Sequence, residues 1–254
     1  MGEQVVTGMC RCVGLAVVLL LAAGCGAARH LQAGPEPQPA RCRVGAVRPL
    51  ESHYRAFAAY VRARARAYVR PGRTAIARFG SYTVNGAPTV LGVRAAVLRR
   101  DCNPAWYRVQ LPVKPNGRVG YVRTRDVKLV RVRTRIAVDL SQRRLTYYRG
   151  GRVVMRIRVG IGSPATPTPV GRFYVNQSFR EDPTGPYGPA AIGISAYSTV
   201  LTWWPQGGPV AIHGTDQPWT IGRAASNGCI HVPNGVARRL FRITPAGTPV
   251  RITA

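Results

Sequence analysis

The segment His213–Asn234 reads HGTDQPWTIGRAASNGCIHVPN, and the interpretation of the chain depends on it more than on any other stretch. It holds His213 and Cys229, in a chain of 254 residues that has 4 histidines and 6 cysteines. A thiol attacks a carbonyl as the thiolate, and its ordinary pKa of about 8.5 leaves little thiolate at neutral pH. A neighbouring imidazole can take the proton, so the segment indicates a Cys–His nucleophile pair.

The residues beside the pair fit this interpretation. Ser226-Asn227-Gly228-Cys229 places a glycine before the thiol, which permits a tight turn whose backbone N–H groups can hold an oxyanion. His213-Gly214-Thr215 follows the apolar run PVAI, which predicts a base at a strand end. From these residues alone, a buried structural thiol and a core histidine remain alternatives. A zinc site of His213, Cys229 and His231 lacks an evident fourth ligand, so we expect no metal and no cofactor.

The charge of the chain is strongly positive. There are 37 Lys and Arg against 9 Asp and Glu, a formal net charge of +28. Such a charge favours polyanionic partners, among them nucleic acid, anionic lipid and anionic cell-wall polymers. No zinc-finger spacing or aromatic RNA-binding signature is present, so we expect no nucleic-acid partner.

The N-terminal part predicts export. VGLAVVLLLAAGCGAA, residues 13–28, has the length and composition of a signal-peptide core. LLAAGC resembles a lipobox, which would place a lipid anchor on Cys25; cleavage by an ordinary signal peptidase is the alternative. Either way we expect a protein of the cell envelope, anchored or secreted. In an oxidising compartment Cys42 and Cys102 can pair, although the sequence does not show that they are close, and Cys229 would then be the lone thiol.

A basic segment of β-strands is predicted for residues 44–132. It follows a predicted signal peptide and lipobox at 1–25 and a predicted disordered tether at 26–43. YVRARARAYVR, residues 60–70, alternates apolar residues with arginine and predicts one strand with a solvated face, although a helix is the alternative. Short β-type runs follow, separated by turns. WYRVQLPVKPNGRVGYVRTRDVKLV, residues 106–130, resembles bacterial SH3-like domains, which are small β-barrels.

Residues 133–254 predict a second, mainly β domain. VDLSQRRLTYY and RVVMRIRVGIG predict a hairpin joined by the RGG turn. NGVARRLFRI predicts a short helix with Leu240 and Phe241 facing the core, and VRIT predicts a last strand.

The segment His213–Asn234 resembles the signature of the L,D-transpeptidases with a YkuD-type catalytic domain. That signature is His-Gly-Thr, a gap, Ile-Gly, and then Ser-x-Gly-Cys-Ile-Arg. The resemblance extends over about residues 134–253 and includes VDLSQRRLTYY, TPTPVGRF, the YGP that begins at Tyr187, and AGTPVRI, in the order of the family.

The resemblance implies a β-sandwich-like catalytic domain that cross-links peptidoglycan stem peptides. Cys229 would form a thioester with the third residue of a donor stem, and the amine of a second stem would resolve it as a 3→3 cross-link. The family's pattern implies His213 as the base, the carbonyl of Gly214 as the group that orients it, and the backbone N–H groups around Gly228 and Cys229 as the oxyanion hole. Other residues implied at the site are Ser226, Asn227, Thr215, His231 and Tyr187.

Two positions depart from the family. His231 stands where arginine is usual, so the choice of acceptor or the pH optimum is expected to differ. Asn227 stands where histidine or lysine is common. Two alternatives to a transpeptidase stay open: an L,D-carboxypeptidase that hydrolyses the same thioester, and a non-catalytic wall-binding protein.

Overall fold

The first half of the described chain forms an antiparallel sheet. The protein is represented by a computed structural model that describes residues 41–254. The strands of the first sheet are β1 (Val47–Pro49), β2 (Ala56–Val61), β3 (Arg64–Tyr68), β4 (Ala75–Gly80), β5 (Val90–Leu98), β6 (Pro104–Gln110), β7 (Val119–Arg123) and β8 (Val127–Val132). They pair in the order β4-β3-β7-β6-β5-β2-β8, and β1 pairs with β5. The SH3-like interpretation of this region stays a prediction.

The single strand predicted for residues 60–70 is wrong. The chain bends at Arg62 and Ala63, which separates β2 from β3. β2 lies between β5 and β8, whereas β3 pairs with β4 and β7. The alternation within β3 is as expected, since Ala65 and Ala67 are buried between exposed arginines. Local alternation therefore predicted the strand conformation, but it carried no information on the change of partner strand.

The second half forms another sheet of eight strands and one small two-stranded sheet. Its elements are β9 (Thr134–Asp139), β10 (Arg144–Arg149), β11 (Arg152–Arg158), β12 (Ile161–Gly162), β13 (Gly171–Arg180), β14 (Ala190–Tyr197), β15 (Pro209–His213), β16 (Ala224–Ser226), β17 (Ile230–His231), α1 (Asn234–Ile243) and β18 (Pro249–Thr253). The order in the large sheet is β11-β10-β9-β18-β13-β14-β15-β17, and β12 pairs with β16. The hairpin at the RGG turn is the antiparallel pair β10–β11.

Strand β13 connects the two parts of this sheet. Its first residues pair with β18, and its later residues pair with β14 after a β-bulge. Strand β14 is buried along almost its whole length because it lies between β13 and β15 and under α1. Leu240 is fully buried and Phe241 packs against the same core, as the helical spacing predicts. The predicted mainly β fold is confirmed. No helix within residues 41–254 has the length and hydropathy needed to cross a bilayer.

The two large sheets are held together where β5 meets β13. Tyr174 of β13 is fully buried, and its hydroxyl donates to the Val90 carbonyl at 3.1 Å. The Tyr174 ring lies over Gly92, where any Cβ atom would overlap it. The Gln110 side chain donates to the Arg172 carbonyl at 2.7 Å. Glycine at position 92 is therefore required for the close approach of the sheets.

Cys42 and Cys102 form a disulfide across a sequence separation of 60 residues. It ties the segment before β1 to the turn between β5 and β6. The pairing left open by the sequence is thus present, and Cys229 is the free thiol within residues 41–254. The predicted signal peptide, Cys25 and residues 26–40 of the tether lie outside the described residues.

Reduction of this disulfide is expected to lower the free energy of unfolding by about 2–4 kcal/mol, because the cross-link restricts the unfolded chain over a long loop. Urea denaturation of the oxidised and reduced protein measures the difference. A Cys229→Ala variant is the control, since it keeps the disulfide and should show the same loss. Equal midpoints for oxidised and reduced protein would contradict the expectation.

Candidate active site

His213 ends β15 and is almost completely buried. Its Nδ1 lies 2.5 Å from the carbonyl oxygen of Gly214. A carbonyl only accepts hydrogen bonds, so Nδ1 must carry the proton that it shares with Gly214. This leaves the lone pair of Nε2 free to accept a proton, which is the arrangement that a general base requires.

Cys229 comes immediately before β17, which pairs in parallel with β15. In this register His213 lies beside His231 and Ile212 beside Ile230. Side chains two residues apart on a strand point to the same face, so Cys229 and His231 share a face with His213. The backbone N–H of Ala211 points to the Cys229 sulfur at 3.4 Å. The thiol and the imidazole therefore lie on one face of the sheet, with 15 residues between them in the sequence.

The turn before the thiol is held by Ser226. Its hydroxyl donates to the Cys229 carbonyl at 2.6 Å and accepts from the Gly228 N–H at 3.2 Å. Gly228 has a φ of +105°, a conformation that favours glycine. Asn227 is exposed at the tip of the turn.

The oxyanion hole implied by the resemblance needs a correction at one of its donors. The Gly228 N–H is already bonded to the Ser226 hydroxyl, so it is not free to bind an oxyanion. The Cys229 N–H forms no hydrogen bond with another residue in the part of the chain that the structure describes. Cys229 itself is therefore the available backbone donor beside the thiol.

The loop after the base is fixed by Thr215. Its N–H donates to the Asn234 side chain at 2.8 Å, at the start of α1. Its hydroxyl accepts from the Gln217 N–H at 2.9 Å. The Tyr187 ring packs against the base: its centroid is 5.0 Å from that of the His213 ring, in an edge-to-face arrangement. The structure places Thr215, Tyr187, Ser226, Asn227 and His231 around the same groove as His213 and Cys229.

The site opens into a groove with a cavity volume of about 490 Å³. His213, Cys229 and Tyr187 line one part of it, and Trp204 and Gln206 line another. Asn85 reaches the groove from the loop between β4 and β5, and its side-chain amide exchanges hydrogen bonds of 3.2 and 2.9 Å with that of Gln206. Sequence reasoning missed these last three residues. The TWWPQGG run offered a signal for two of them, and nothing pointed to Asn85.

The protein environment disfavours the charged form of each member of the pair. Burial, together with the nearby His231, lowers the pKa of His213 to about 4. Burial raises the pKa of the Cys229 thiol, although the Ala211 N–H opposes this. Burial in this site therefore favours the neutral forms of both the thiol and the imidazole, because charged forms lose solvation.

His231 is also held in a defined orientation. Its ring centroid is 4.8 Å from that of His213. Its Nδ1 lies 2.9 Å from the Thr220 hydroxyl, which donates its one proton to the Gln217 carbonyl. The hydroxyl must accept from His231, so the Nε2 lone pair of His231 is free. Burial lowers the pKa of His231, and Asp216 opposes that shift.

Stability is expected to fall as the pH drops from 6.5 to about 4, by up to about 3 kcal/mol from His213. Over that range the unfolded chain binds a proton at this histidine and the folded chain does not. Above pH 6.5 neither state is protonated, so His213 makes no contribution to the pH dependence. Urea midpoints of the wild type and of His213→Gln, measured across this range, test the difference. Parallel curves for the two proteins would contradict the expectation.

No group of three or more His, Cys, Asp or Glu side chains is placed to hold a metal ion within residues 41–254. The chemistry that the arrangement supports is attack by a thiol with an imidazole as the base. A backbone N–H at Cys229 is positioned to stabilise the oxyanion that results.

Comparison with known proteins identifies relatives of the second half of the chain. Residues 133–252 match the family model of the YkuD L,D-transpeptidase catalytic domain. Proteins named L,D-transpeptidase YkuD from Bacillus licheniformis and Bacillus subtilis are 35% and 34% identical over 119 and 117 residues. These matches cover 47% and 46% of this chain and 65% and 64% of the relatives, so the chain spans less than two thirds of their length.

A solved structure of a variant L,D-transpeptidase from Enterococcus faecium is 29% identical, with a TM-score of 0.37, and the match covers 47% of this chain and 49% of that one. Residues 133–252 are thus similar in sequence to the catalytic domain of the YkuD-type L,D-transpeptidases.

Proposed function

We propose that the protein is a cysteine-dependent L,D-transpeptidase that joins peptidoglycan stem peptides by 3→3 cross-links. The observation that carries the proposal is the shared face of β15 and β17, which holds the Cys229 thiol and the His213 imidazole in one groove. The Gly214 carbonyl fixes the proton of His213 on Nδ1 and leaves Nε2 for the thiol. The match of residues 133–252 to the L,D-transpeptidase family model supports the same chemistry.

In the first half-reaction, Cys229 attacks the carbonyl of the third residue of a donor tetrapeptide stem. His213 takes the thiol proton as the sulfur–carbon bond forms, and the Cys229 N–H binds the oxyanion. When the carbon–nitrogen bond breaks, His213 returns the proton to the leaving nitrogen, so D-alanine departs with an uncharged amine. Neutral starting groups suit this step, because the imidazole is then free to accept the proton.

In the second half-reaction, the side-chain amine of an acceptor stem attacks the thioester. His213 accepts the proton that the amine loses, and the thiol leaves with a proton from the imidazolium. Tyr187, beside His213 and at the rim of the groove, is placed to cover the acyl group. Ser226 and Thr215 act by holding the two loops that carry the pair.

The products from purified muropeptides test the proposal. A transpeptidase gives cross-linked dimers and free D-alanine, and it needs an acceptor stem. A carboxypeptidase gives trimmed tripeptides, because water resolves the thioester. No product of either kind from the wild type with reduced Cys229 would favour a non-catalytic wall-binding protein and would overturn the proposal.

We place the protein in the cell envelope. The Cys42–Cys102 disulfide supports export, since disulfides persist in oxidising compartments. The apolar run at residues 13–28 supports it as well, and lipidation of Cys25 belongs to the same proposal. A net charge of +28 would hold the protein near anionic wall polymers. Retention on isolated walls that is unchanged between low and high salt would contradict this electrostatic account.

Replacing His231 with alanine is expected to move the acidic limb of the kcat/KM profile to higher pH. The charge of His231 and the burial that it provides both lower the pKa of His213, so its removal lets that pKa rise toward 6.5. The profile of the free enzyme reports this pKa. Arg223→Gln, in the same loop but outside the groove, is the control and should leave the limb in place. A shift in the control, or none in His231→Ala, would contradict the expectation.

A further inference from the structure

A second cavity, of about 260 Å³, lies between the two large sheets, and none of its lining residues lines the groove of the candidate active site. Four arginines line it, from β5, β9, β13 and β18: Arg94, Arg135, Arg172 and Arg251. Glu51 is the one acidic residue among the lining residues. The charges of these five side chains sum to +3, so the cavity is strongly positive.

Glu51 neutralises only one side of the cavity. It forms ion pairs with Arg94 and, at 2.9 Å, with Arg172. No ion pair within residues 41–254 involves Arg135 or Arg251. Two of the four guanidinium groups therefore have no carboxylate of this chain as a partner.

The strand register brings like charges together on this face. Arg172 of β13 and Arg251 of β18 are directly opposite in the antiparallel ladder. Like charges in directly opposite positions destabilise a sheet unless an anion lies near them. The third arginine of this face, Arg135, belongs to β9, which pairs with β18 on its other side. Three neighbouring strands thus direct arginines toward the same cavity.

Arg135 has an unsatisfied hydrogen-bond donor. Its guanidinium stacks on the Tyr148 ring at 4.0 Å, which holds it in one orientation. Its Nε is buried and has no hydrogen-bond partner among the residues that the structure describes. A buried charged donor without an acceptor is costly, and such groups in native proteins are commonly satisfied by a bound ion or ligand.

From this arrangement we infer that the cavity is a binding site for a phosphate group. Arginine forks match the oxygens of phosphate and carboxylate in paired hydrogen bonds. A phosphate presents more oxygens and more charge than a carboxylate, and the cavity offers several guanidinium groups with a net charge of +3. The phosphate can be free, or it can be part of a phosphodiester polymer that lies across the surface.

Isothermal titration of the full chain with inorganic phosphate tests the site, at constant ionic strength set with chloride. The variant Arg135→Gln/Arg251→Gln removes two cavity charges and leaves the Glu51 ion pairs in place. Its Kd for phosphate is expected to rise at least tenfold. Arg152→Gln/Arg156→Gln is the matched control, because it removes two exposed charges from β11 outside the cavity. The control Kd is expected to stay within about twofold of the wild type.

Two further measurements complete the test. If the double variant fails to fold, Arg251→Gln alone replaces it, since that side chain is exposed. A linear polyphosphate identifies the source of the phosphate: tighter binding than inorganic phosphate indicates a polymer, and equal binding indicates the free ion. Equal phosphate affinity in the cavity variant and in the control would overturn the inference. Acetate binding as tight as that of phosphate would overturn it too.

Discussion

Cys229→Ala is expected to lower the rate of cross-link formation by about 10⁴-fold or more, because no other group in the groove can form the thioester. Within residues 41–254, the other two cysteines are joined to each other in a disulfide. Formation of muropeptide dimers, followed by chromatography under initial-rate conditions, measures the effect. A variant that keeps a tenth of the wild-type rate would exclude Cys229 as the nucleophile.

The control for Cys229→Ala is Arg223→Gln, which changes an exposed residue of the same loop and should keep most of the activity. Urea midpoints distinguish a chemical loss from an unfolded protein. The alanine removes a small, partly buried side chain from the sheet edge, so the fold should persist. A Cys229→Ala protein that is both folded and inactive is the expected result.

His213→Gln is expected to lower kcat/KM by about 10²–10⁴-fold, the usual contribution of a positioned general base. Glutamine can keep a hydrogen bond to the Gly214 carbonyl but has no basic nitrogen to accept the thiol proton. The same muropeptide assay measures the loss. The acidic limb assigned to His213 should disappear from the pH profile of the variant.

A second probe separates the base from a structural role of His213. Alkylation of Cys229 by iodoacetamide requires the thiol to lose its proton during attack, so the rate should fall in His213→Gln at neutral pH, where the base is missing. Thr220→Val is the control: it removes a hydrogen bond of His231 and leaves the Gly214 contact of His213 intact. Unchanged alkylation and turnover in His213→Gln would contradict the role of His213 as the base.

The local chemistry of the site was predictable from the sequence, but the pairing register of the two strands that carry it was not. Glycine before Cys229 and the residues around His213 indicated a nucleophile, a base and a tight turn. The parallel pairing of β15 with β17, which places His231 beside His213, depends on a loop that folds back over 16 residues. A single sequence does not reveal which residues of two strands pair, because the register follows from packing between distant segments.

The contribution of the first sheet to the groove could not be predicted from the sequence either. Asn85 lies 121 residues from Gln206, and the amide pair that joins them forms only when β5 packs against β13. The prediction of one strand across residues 60–70 was wrong for a related reason. The chain changes its partner strands at Arg62, and that change is not a local property of the sequence. Alternation predicted which side chains are buried, and tertiary contacts decided where the strand ends.

The charge state of the pair depends on burial, which the sequence does not give. An exposed histidine beside a thiol favours the ion pair, whereas both groups here lose solvation. Burial has a consequence for catalysis: we expect the thiolate to form mainly during attack on the substrate rather than in the free protein. The rate should then depend on how well the groove orients the substrate carbonyl against Cys229.

Acylation by a carbapenem tests the central claim most directly. The β-lactam carbonyl resembles the acyl donor of a stem peptide, and attack by Cys229 opens the ring without a leaving group. Intact-protein mass spectrometry of the reduced wild type should show a gain of one whole carbapenem, located by peptide mapping on Cys229 and absent from Cys229→Ala. An unmodified wild type, or an adduct that persists in Cys229→Ala, would contradict the account.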